Sequence, residues 1–227
     1  MFSTRLTREY GLEFPFVSAG MGFIALPQLV AAVSSVGGLG LLGVGPAPPP
    51  VMQQMIQQIK KLTGRPFGVD LIHENTSFGP ATTDAHIDAC IAEEAKLVVF
   101  FWNLPSNTWI KRLQESGARI WYQGSSIAKA SEAVDVGLAA VIAQGSETGG
   151  HNKSDVGLFA LLPAMKDALP DVPVIAAVGL PTVAEWPRHW HRARMGPASA
   201  RGFWRAKKRT FIANTRRELQ AAWYSGS

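Results

Sequence analysis

The stretch Val141–His151 reads VIAQGSETGGH, and it gives the clearest indication of the fold. Its apolar beginning is typical of a buried parallel strand. The three glycines that follow allow the backbone to approach a ligand closely or to adopt a positive φ. A histidine after such a strand lies where α/β sheets place their functional groups, at the carboxyl ends of the strands. A plain βα turn with a surface histidine is the alternative, and this stretch alone does not separate the two.

Short apolar runs alternate with amphipathic stretches along the first 177 residues. This pattern predicts βα units and a parallel sheet. Strands are predicted at residues 14–19, 39–42, 66–71, 97–101, 119–122, 139–143 and 172–177, and helices at 27–36, 51–62, 85–95, 108–116, 127–136 and 158–169. One unit about every 25 residues matches the spacing of a TIM-type (β/α)8 barrel. A doubly wound sheet is the competing architecture, but the short helices and a strand count above six favour the barrel.

Composition limits the class of protein. The chain has 227 residues, of which 47% are hydrophobic and 17% charged, as in globular domains and unlike disordered chains. The single cysteine, Cys90, excludes an internal disulfide framework, fits a reducing compartment and is expected in the core. No signal peptide and no apolar run of about 18 residues is apparent. A soluble cytoplasmic protein without a membrane partner is therefore expected.

Charge divides the chain into two parts. Residues 181–227 carry ten Lys/Arg against two Asp/Glu, so the preceding 180 residues have a balance of −3. Four of the seven tryptophans fall in the same basic part, which shows no clean strand or helix period before Phe203. We therefore expect a barrel body over residues 1–180 and a separate basic tail over 181–227. The helix and eighth strand that should complete a barrel are not recognisable, so the barrel is expected to be incomplete at its carboxyl end.

The predicted strand ends carry a polar but weakly charged set of residues. In a barrel these ends meet at one face, so they should be considered together. Such a set suits a flat, hydrogen-bonding organic cofactor better than a metal, because no His, Asp or Glu cluster has ligand spacing. Walker, Gly-x-Gly-x-x-Gly and Gly-x-Ser-x-Gly motifs are absent from the sequence. The residues at these ends are Gly20, Met21, Gly22, Asp70, Asn103, Gln123, Gly124, Gln144 to His151, and Gly179.

His151 is the candidate general base, because imidazole titrates near neutral pH and can take a proton from an acidic carbon. Glu147 could orient this histidine or cap the following segment, and capping is favoured. His73 and His86 lie in predicted loop and helix contexts, where we expect them to be solvated.

Several motifs together resemble the nitronate monooxygenases, flavin-dependent barrels formerly called 2-nitropropane dioxygenases. The resemblance covers roughly residues 10–180 and is specific, because the motifs have the expected order and spacing. They are Met21, GGLG at 37–40, RPFGVDL at 65–71, QGSETGGH at 144–151, LLP at 161–163 and PVIAA at 173–177.

The resemblance implies FMN across the barrel mouth and oxidation of alkyl nitronates or nitroalkanes by O2. It implies that His151 is the catalytic base. A related FMN barrel, such as an enoyl-acyl-carrier reductase, is the alternative enzyme. The residues that the resemblance places against the flavin are Gly20, Met21, Gly22, Asp70, Gln123, Gln144, Gly145, Gly149, Gly150 and Gly179.

The chain departs from the family pattern at a few positions and in its tail. Asp70 stands where asparagine is frequent, Gln123 where lysine or another polar residue occurs, and Val178-Gly179 where the family usually has Gly-Gly. The family's phosphate-binding segment is not recognisable after Gly179. A change of reading frame or splicing near residues 179–182 is one hypothesis for the tail, and it leaves open a catalytically impaired fragment. A genuine basic module for nucleic acid or an anionic membrane surface is the less favoured one.

Overall fold

The computed structural model describes residues 3–77 and 79–177. The predicted basic tail at 181–227 and the predicted phosphate-site residue Gly179 lie outside these residues. Fifteen elements follow one another in the described chain. They are α1 (Arg5–Tyr10), α2 (Pro27–Ser35), β1 (Gly40–Gly43), α3 (Pro49–Leu62), β2 (Phe67–His73), β3 (Asn75–Thr76), β4 (Gly79–Pro80), α4 (Asp84–Ala92), β5 (Leu97–Trp102), α5 (Asn107–Glu115), β6 (Arg119–Gly124), α6 (Ile127–Asp135), β7 (Ala140–Gln144), α7 (Leu158–Ala168) and β8 (Val174–Ala177).

Six of the strands form one sheet in the order β1-β2-β5-β6-β7-β8, and every pair in it is parallel. Except for a short hairpin after β2, successive strands are joined by a helix and lie side by side, as βα units require. The carboxyl ends of all six strands therefore lie along one edge, and the loops that follow them share that edge.

The sheet buries both of its faces in two separate hydrophobic clusters. Alternate residues of a strand point to opposite faces, so the two clusters take alternate positions. The cluster on the helix side contains Leu42, Val69, Phe100, Ile120 and Val141. The inner cluster contains the residues that alternate with these along the strands, including Leu41, Val99, Trp121 and Ile142. Apolar side chains on both faces explain why the strands are nearly continuous hydrophobic runs.

Helix α1 packs against the inner cluster near the amino ends of the strands. Trp121 Nε1 donates a hydrogen bond to Tyr10 Oη at 2.5 Å, and the two rings meet edge to face. Arg119, the first residue of β6, pairs with Glu9 at 2.7 Å. Arg5 also donates to the carbonyl of Asp171, just before β8. The amino-terminal helix therefore covers the end of the inner core opposite to the functional loops.

Two predicted elements differ from the structure. The strand predicted at residues 14–19 is reduced to a single parallel bridge, Val17 with Leu39. It still lies beside β1, but Pro15 has no N–H to donate, and Phe14 N–H donates to the helix-terminating Gly37 instead of to a neighbouring strand. Helix α3 begins at Pro49, two residues before its predicted start at residue 51. Proline suits the first turn of a helix, whose N–H groups have no partner within the helix.

The remaining helices and strands confirm the sequence pattern, usually within one to three residues at each end. Two elements were not predicted: the six-residue helix α1 and the β3–β4 hairpin. Both are too short to show a hydrophobic period. No helix in the described ranges is both long enough and apolar enough to cross a membrane.

Substitutions on α3 test which of its faces packs against the core. Ile56 is fully buried, whereas Val51 on the same helix is 38% exposed. We expect Ile56→Ala to lower the free energy of unfolding by about 2–5 kcal/mol and Val51→Ala by less than about 0.5 kcal/mol. Urea unfolding followed by circular dichroism measures both. Equal effects of the two substitutions would contradict the packing of α3 described above.

Candidate functional site

The loop at residues 20–22 packs directly onto the ends of β1 and β2. A Cβ at Gly20 would lie 2.1 Å from Asp70 Oδ2, and a Cβ at Gly43 would lie 2.4 Å from the Met21 carbonyl oxygen. Neither position can accept a side chain without moving the backbone. Glycine at both positions therefore lets residues 20–22 lie against the carboxyl edge of the sheet, as the strand-end hypothesis required for Gly20 and Met21.

Asp70 is the buried ionisable group of this edge. Its neighbours in sequence, Val69 and Leu71, belong to the helix-side core, so Asp70 points to the inner face. Only 6% of its surface is exposed, and its Oδ1 atom has no hydrogen-bond partner among the described residues. Burial raises the pKa of this carboxyl from 3.8 to about 8. At neutral pH the group is therefore mainly a neutral carboxylic acid, which is able to donate a hydrogen bond.

The two glutamines predicted for the site also face inwards. Gln123 lies two residues after Trp121, and Gln144 lies two residues after Ile142, and both of these belong to the inner cluster. Because strand side chains alternate, the amides share that face at its carboxyl end. Gln123 is half-buried, whereas Gln144 is buried.

Hydrogen bonds fix the glycine-rich loop that carries His151. Gln144 Nε2 donates to the carbonyl of His151 at 3.1 Å, which brings two predicted site residues together. Asn152 Nδ2 donates to the Gly145 carbonyl at 2.8 Å and to Thr148 Oγ1 at 2.9 Å. The loop therefore folds back on the end of β7, so that the position of His151 depends on the strand.

Glu147 caps helix α7. Both of its carboxylate oxygens accept from the Leu158 N–H, at 2.9 and 2.8 Å. A Cβ at Gly145 would lie 2.5 Å from Leu158 N, so this glycine makes room for the same contact. The capping role favoured for Glu147 is confirmed. The negative charge also suits the positive end of the helix dipole.

His151 lies beside an aromatic residue that the sequence did not single out. The imidazole is exposed and meets the Trp102 ring nearly at right angles, with 5.6 Å between centroids. Trp102, the last residue of β5, has a φ of 81°, which is unusual for a bulky residue. Such backbone strain is frequent at functional sites. Its indole Nε1 is buried and has no partner within the described chain.

The ion pair of Lys153 and Glu74 lies beside Trp102. Lys153 Nζ lies 4.6 Å from the centroid of the Trp102 ring, within cation–π distance, and also pairs with the Glu74 carboxylate. The hydrogen bond from Lys153 is the largest cause that lowers the pKa of Glu74. Lys153 therefore links the His151 loop to the chain after β2 and to the end of β5.

The other histidines differ from expectation. His86 is buried, and its ring nitrogens contact the Ala47 carbonyl at 3.0 Å and Thr83 Oγ1 at 2.9 Å. His73 is half-buried, and its Nδ1 has no partner within the described residues. The prediction that both are solvated was wrong, because His73 packs against the rings of Phe100 and Trp109, and His86 is enclosed with its ring nitrogens bonded within the protein. Cys90 is in the core as predicted, and burial raises the pKa of its thiol to about 12.

A cavity of about 400 Å³ opens beside His73. Its lining includes Glu74, Asn103 and Trp109 but none of the residues predicted to contact the cofactor or to act as the base. It lies between the β3–β4 hairpin and the amino ends of α4 and α5. The predicted site residues instead lie on the inner face of the sheet and on the loop after β7.

The structure adds three residues to the site that the sequence did not single out. Gly43 permits the approach of Met21, Trp102 borders His151, and Lys153 lies over the Trp102 ring. Both Gly43 and Trp102 end a strand, so a search of every strand end could have found them. Lys153 carries no comparable signal in the sequence.

This arrangement agrees with the comparison with known protein families. A model of the nitronate monooxygenase family matches residues 3–185. The chain belongs to the nitronate monooxygenase family. The family resemblance proposed from the sequence is confirmed, and the match ends close to the position where the motifs stop.

Curated and solved relatives agree with the family assignment. A probable nitronate monooxygenase of Staphylococcus aureus (strain MSSA476) is 30% identical over 215 residues, which cover 78% of this chain and 60% of that protein. Nitroalkane oxidase from Streptomyces ansochromogenes is similar in structure, with a TM-score of 0.76, 27% identity and coverage of 84% of this chain and 65% of that one. FabK from Thermotoga maritima has a TM-score of 0.76, 30% identity and coverage of 85% and 60%.

These matches confirm the predicted (β/α)8-type barrel architecture. The chain spans about 60% of the length of the curated relatives that it matches.

Asp70→Asn tests the burial of the carboxyl. In the folded protein the Asp70 pKa is raised from 3.8 to about 8, so the folded state binds the proton more tightly than the unfolded state. The free energy of unfolding of the native chain should therefore fall as the pH rises from about 4 to about 8. The neutral amide does not titrate. Over this interval the free energy of unfolding of the variant should therefore rise relative to that of the native chain, by about a few kcal/mol. Unfolding curves at several pH values measure the difference, and a pH-independent difference would contradict it.

Variants of Glu147 test the cap of α7. Glu147→Ala removes both acceptors of the Leu158 N–H and should lower the free energy of unfolding by roughly 0.5–2 kcal/mol. Glu147→Gln keeps one acceptor oxygen and should lose less. Ser146→Ala, in the same loop with an exposed side chain, is the matched control and should unfold like the native chain. Thermal melts distinguish these cases, and identical melting temperatures for all four proteins would refute the cap.

Proposed function

We propose that this chain binds a flavin, in the form of FMN, across the carboxyl edge of its sheet and oxidises alkyl nitronates or nitroalkanes with O2. The observation that carries the proposal is the loop after β7, which holds an exposed imidazole beside Trp102 and is hydrogen-bonded to the strand end through Gln144. Family membership supports the same activity.

The residues at this edge fit a flat, hydrogen-bonding ring system. Asp70 supplies a buried carboxyl with an atom that no described residue satisfies, and Gln123 supplies a half-buried amide on the same face. A Cβ at Gly149 would meet nothing within 4 Å, and this glycine does not have a positive φ. The described protein atoms therefore do not require glycine there, and a ligand approaching the bare backbone would explain it.

Each predicted contact has a place in this proposal. Gly20, Met21 and Gly22 form the loop that lies against β1 and β2, and a Cβ at Gly22 would make only an ordinary contact with Gly45. Gly145 serves the α7 cap, and Gly150 has a φ of 79°, so both also have structural reasons to be glycine. Gly179 is proposed as part of the phosphate site from the family resemblance alone.

The chemistry of the chain is proton transfer and positioning. The His151 imidazole would take the proton from the carbon that bears the nitro group, or hold a nitronate that is already formed. Trp102 limits the space beside the imidazole, and the bonds of Gln144 and Asn152 hold the loop in place. A bound flavin would supply the electron acceptor for this oxidation, with O2 as the final oxidant.

Two measurements test the proposal on the full chain. The purified protein should show a visible flavin spectrum, or bind added FMN, and should consume O2 when a nitronate is supplied. His151→Asn should retain flavin binding and lower turnover of a neutral nitroalkane by about 10²- to 10⁴-fold. Ser146→Ala is the control and should leave turnover unchanged. A colourless protein that does not bind FMN would refute the proposal.

An enoyl reductase activity, the alternative that the family resemblance leaves open, is the second candidate, and FabK has the same TM-score as the nitroalkane oxidase. Turnover of an enoyl thioester with NAD(P)H, without oxidation of a nitronate, would support this alternative over the first.

A further inference from the structure

Asp70 is the most unusual polar group of the described chain, and the fold itself does not use it. The carboxyl is buried at the carboxyl edge of the sheet, where the Gly20 backbone covers it closely. Its Oδ1 atom has no partner among the described residues. A buried polar group without a partner is costly and needs an explanation, such as a ligand that satisfies it.

We propose that Asp70 enters the site as a neutral carboxylic acid and donates a hydrogen bond to an acceptor atom of the bound flavin. This inference rests on the proposed function for its ligand, but the neutral state of the acid does not depend on that function. Flavin rings present carbonyl oxygens and ring nitrogens as acceptors, which a carboxylate could not contact favourably.

Among the described residues, none supplies a charge that would keep Asp70 ionised. In register with it are Gly43 on β1 and Val99 on β5, and Gly20 packs against its side chain. His73 is the other ionisable residue of β2, and it lies three positions away and therefore on the opposite face. Burial alone accounts for the raised pKa of about 8. Within the described part of the chain, the acid therefore has no cationic partner of the kind that buried carboxylates usually need.

The two ionisation states predict opposite effects of pH on flavin binding. Above its pKa a neutral acid loses its proton and can no longer donate to the flavin, so the affinity for flavin should fall at alkaline pH. A carboxylate that accepts from a flavin N–H should instead bind more tightly as the pH rises. The sign of the pH dependence therefore decides between a donor and an acceptor.

The experiment measures the dissociation constants of FMN and of riboflavin by fluorescence quenching for the native chain and Asp70→Asn. The asparagine amide also donates a hydrogen bond but does not titrate, so it is the matched control. Titrations of the ligand or of other residues occur in both proteins and cancel in the ratio of the two constants. We expect the native-to-variant ratio to be constant from about pH 6 to 7 and to rise about tenfold by about pH 9. Riboflavin should give the same ratio, because the proposed contact does not involve the phosphate.

Asp70→Leu, which is similar in size but has no donor, provides a second comparison. It should bind FMN more weakly than Asp70→Asn at every pH, and the ratio of the two dissociation constants should not change at alkaline pH. Equal binding by the leucine and asparagine variants, or a native-to-variant ratio that falls with pH, would overturn the inference.

The outcomes separate this inference from the proposed function. If native and Asp70→Asn proteins both fold but neither binds a flavin, the proposed function fails, and the donor role fails with it. If both bind flavin and oxidise a nitronate while the ratio of their constants does not change with pH, the proposed function stands and the neutral acid is wrong. Unfolding of the flavin-free proteins between about pH 4 and 8 reports the ionisation of Asp70 without any ligand.

Discussion

The structure depends on a parallel sheet that must bury both of its faces. Each strand alternates its side chains between the helix-side cluster and the inner cluster, and helix α1 covers the inner cluster at the amino ends of the strands. Apolar contacts therefore occupy both faces and one end. The inner face becomes polar at the carboxyl edge, where Asp70, Gln123 and Gln144 continue the inner face of their strands.

The same constraint explains how the candidate site is assembled. Strand ends fix the inward amides and the carboxyl, whereas the loop after β7 carries His151. The loop after β7 is tied to its strand by Gln144 and Asn152, and to the neighbouring strand ends through Lys153, Glu74 and Trp102. His151 is thus carried by a loop, but its position is set by side chains from three strand ends. An exposed imidazole on a fixed backbone would suit the proton transfer proposed for His151.

At three glycines of the site, the backbone approaches another segment closely. Gly20 lies against Asp70, Gly43 lies against Met21, and Gly145 lies against the first N–H of α7. In each case the missing side chain allows two segments distant in sequence to meet, rather than providing only local flexibility. The burial of Asp70 follows directly from one of these contacts. A glycine at position 20 thus affects both the packing of the loop and the ionisation of a carboxyl fifty residues later.

The βα rhythm, the barrel class, the family and the loop that carries His151 could all be predicted from the sequence. Those features depend on local hydrophobic period and on short motifs, which are written in consecutive residues. The first strand was only partly predictable, since Pro15 and Gly37 redirect its hydrogen bonds. Three other properties could be read only from the folded chain: His86 is buried, Trp102 borders His151, and Asp70 Oδ1 lacks a partner among the described residues. These properties arise where separate strand ends and loops meet, because burial and ionisation depend on neighbours that are distant in the chain.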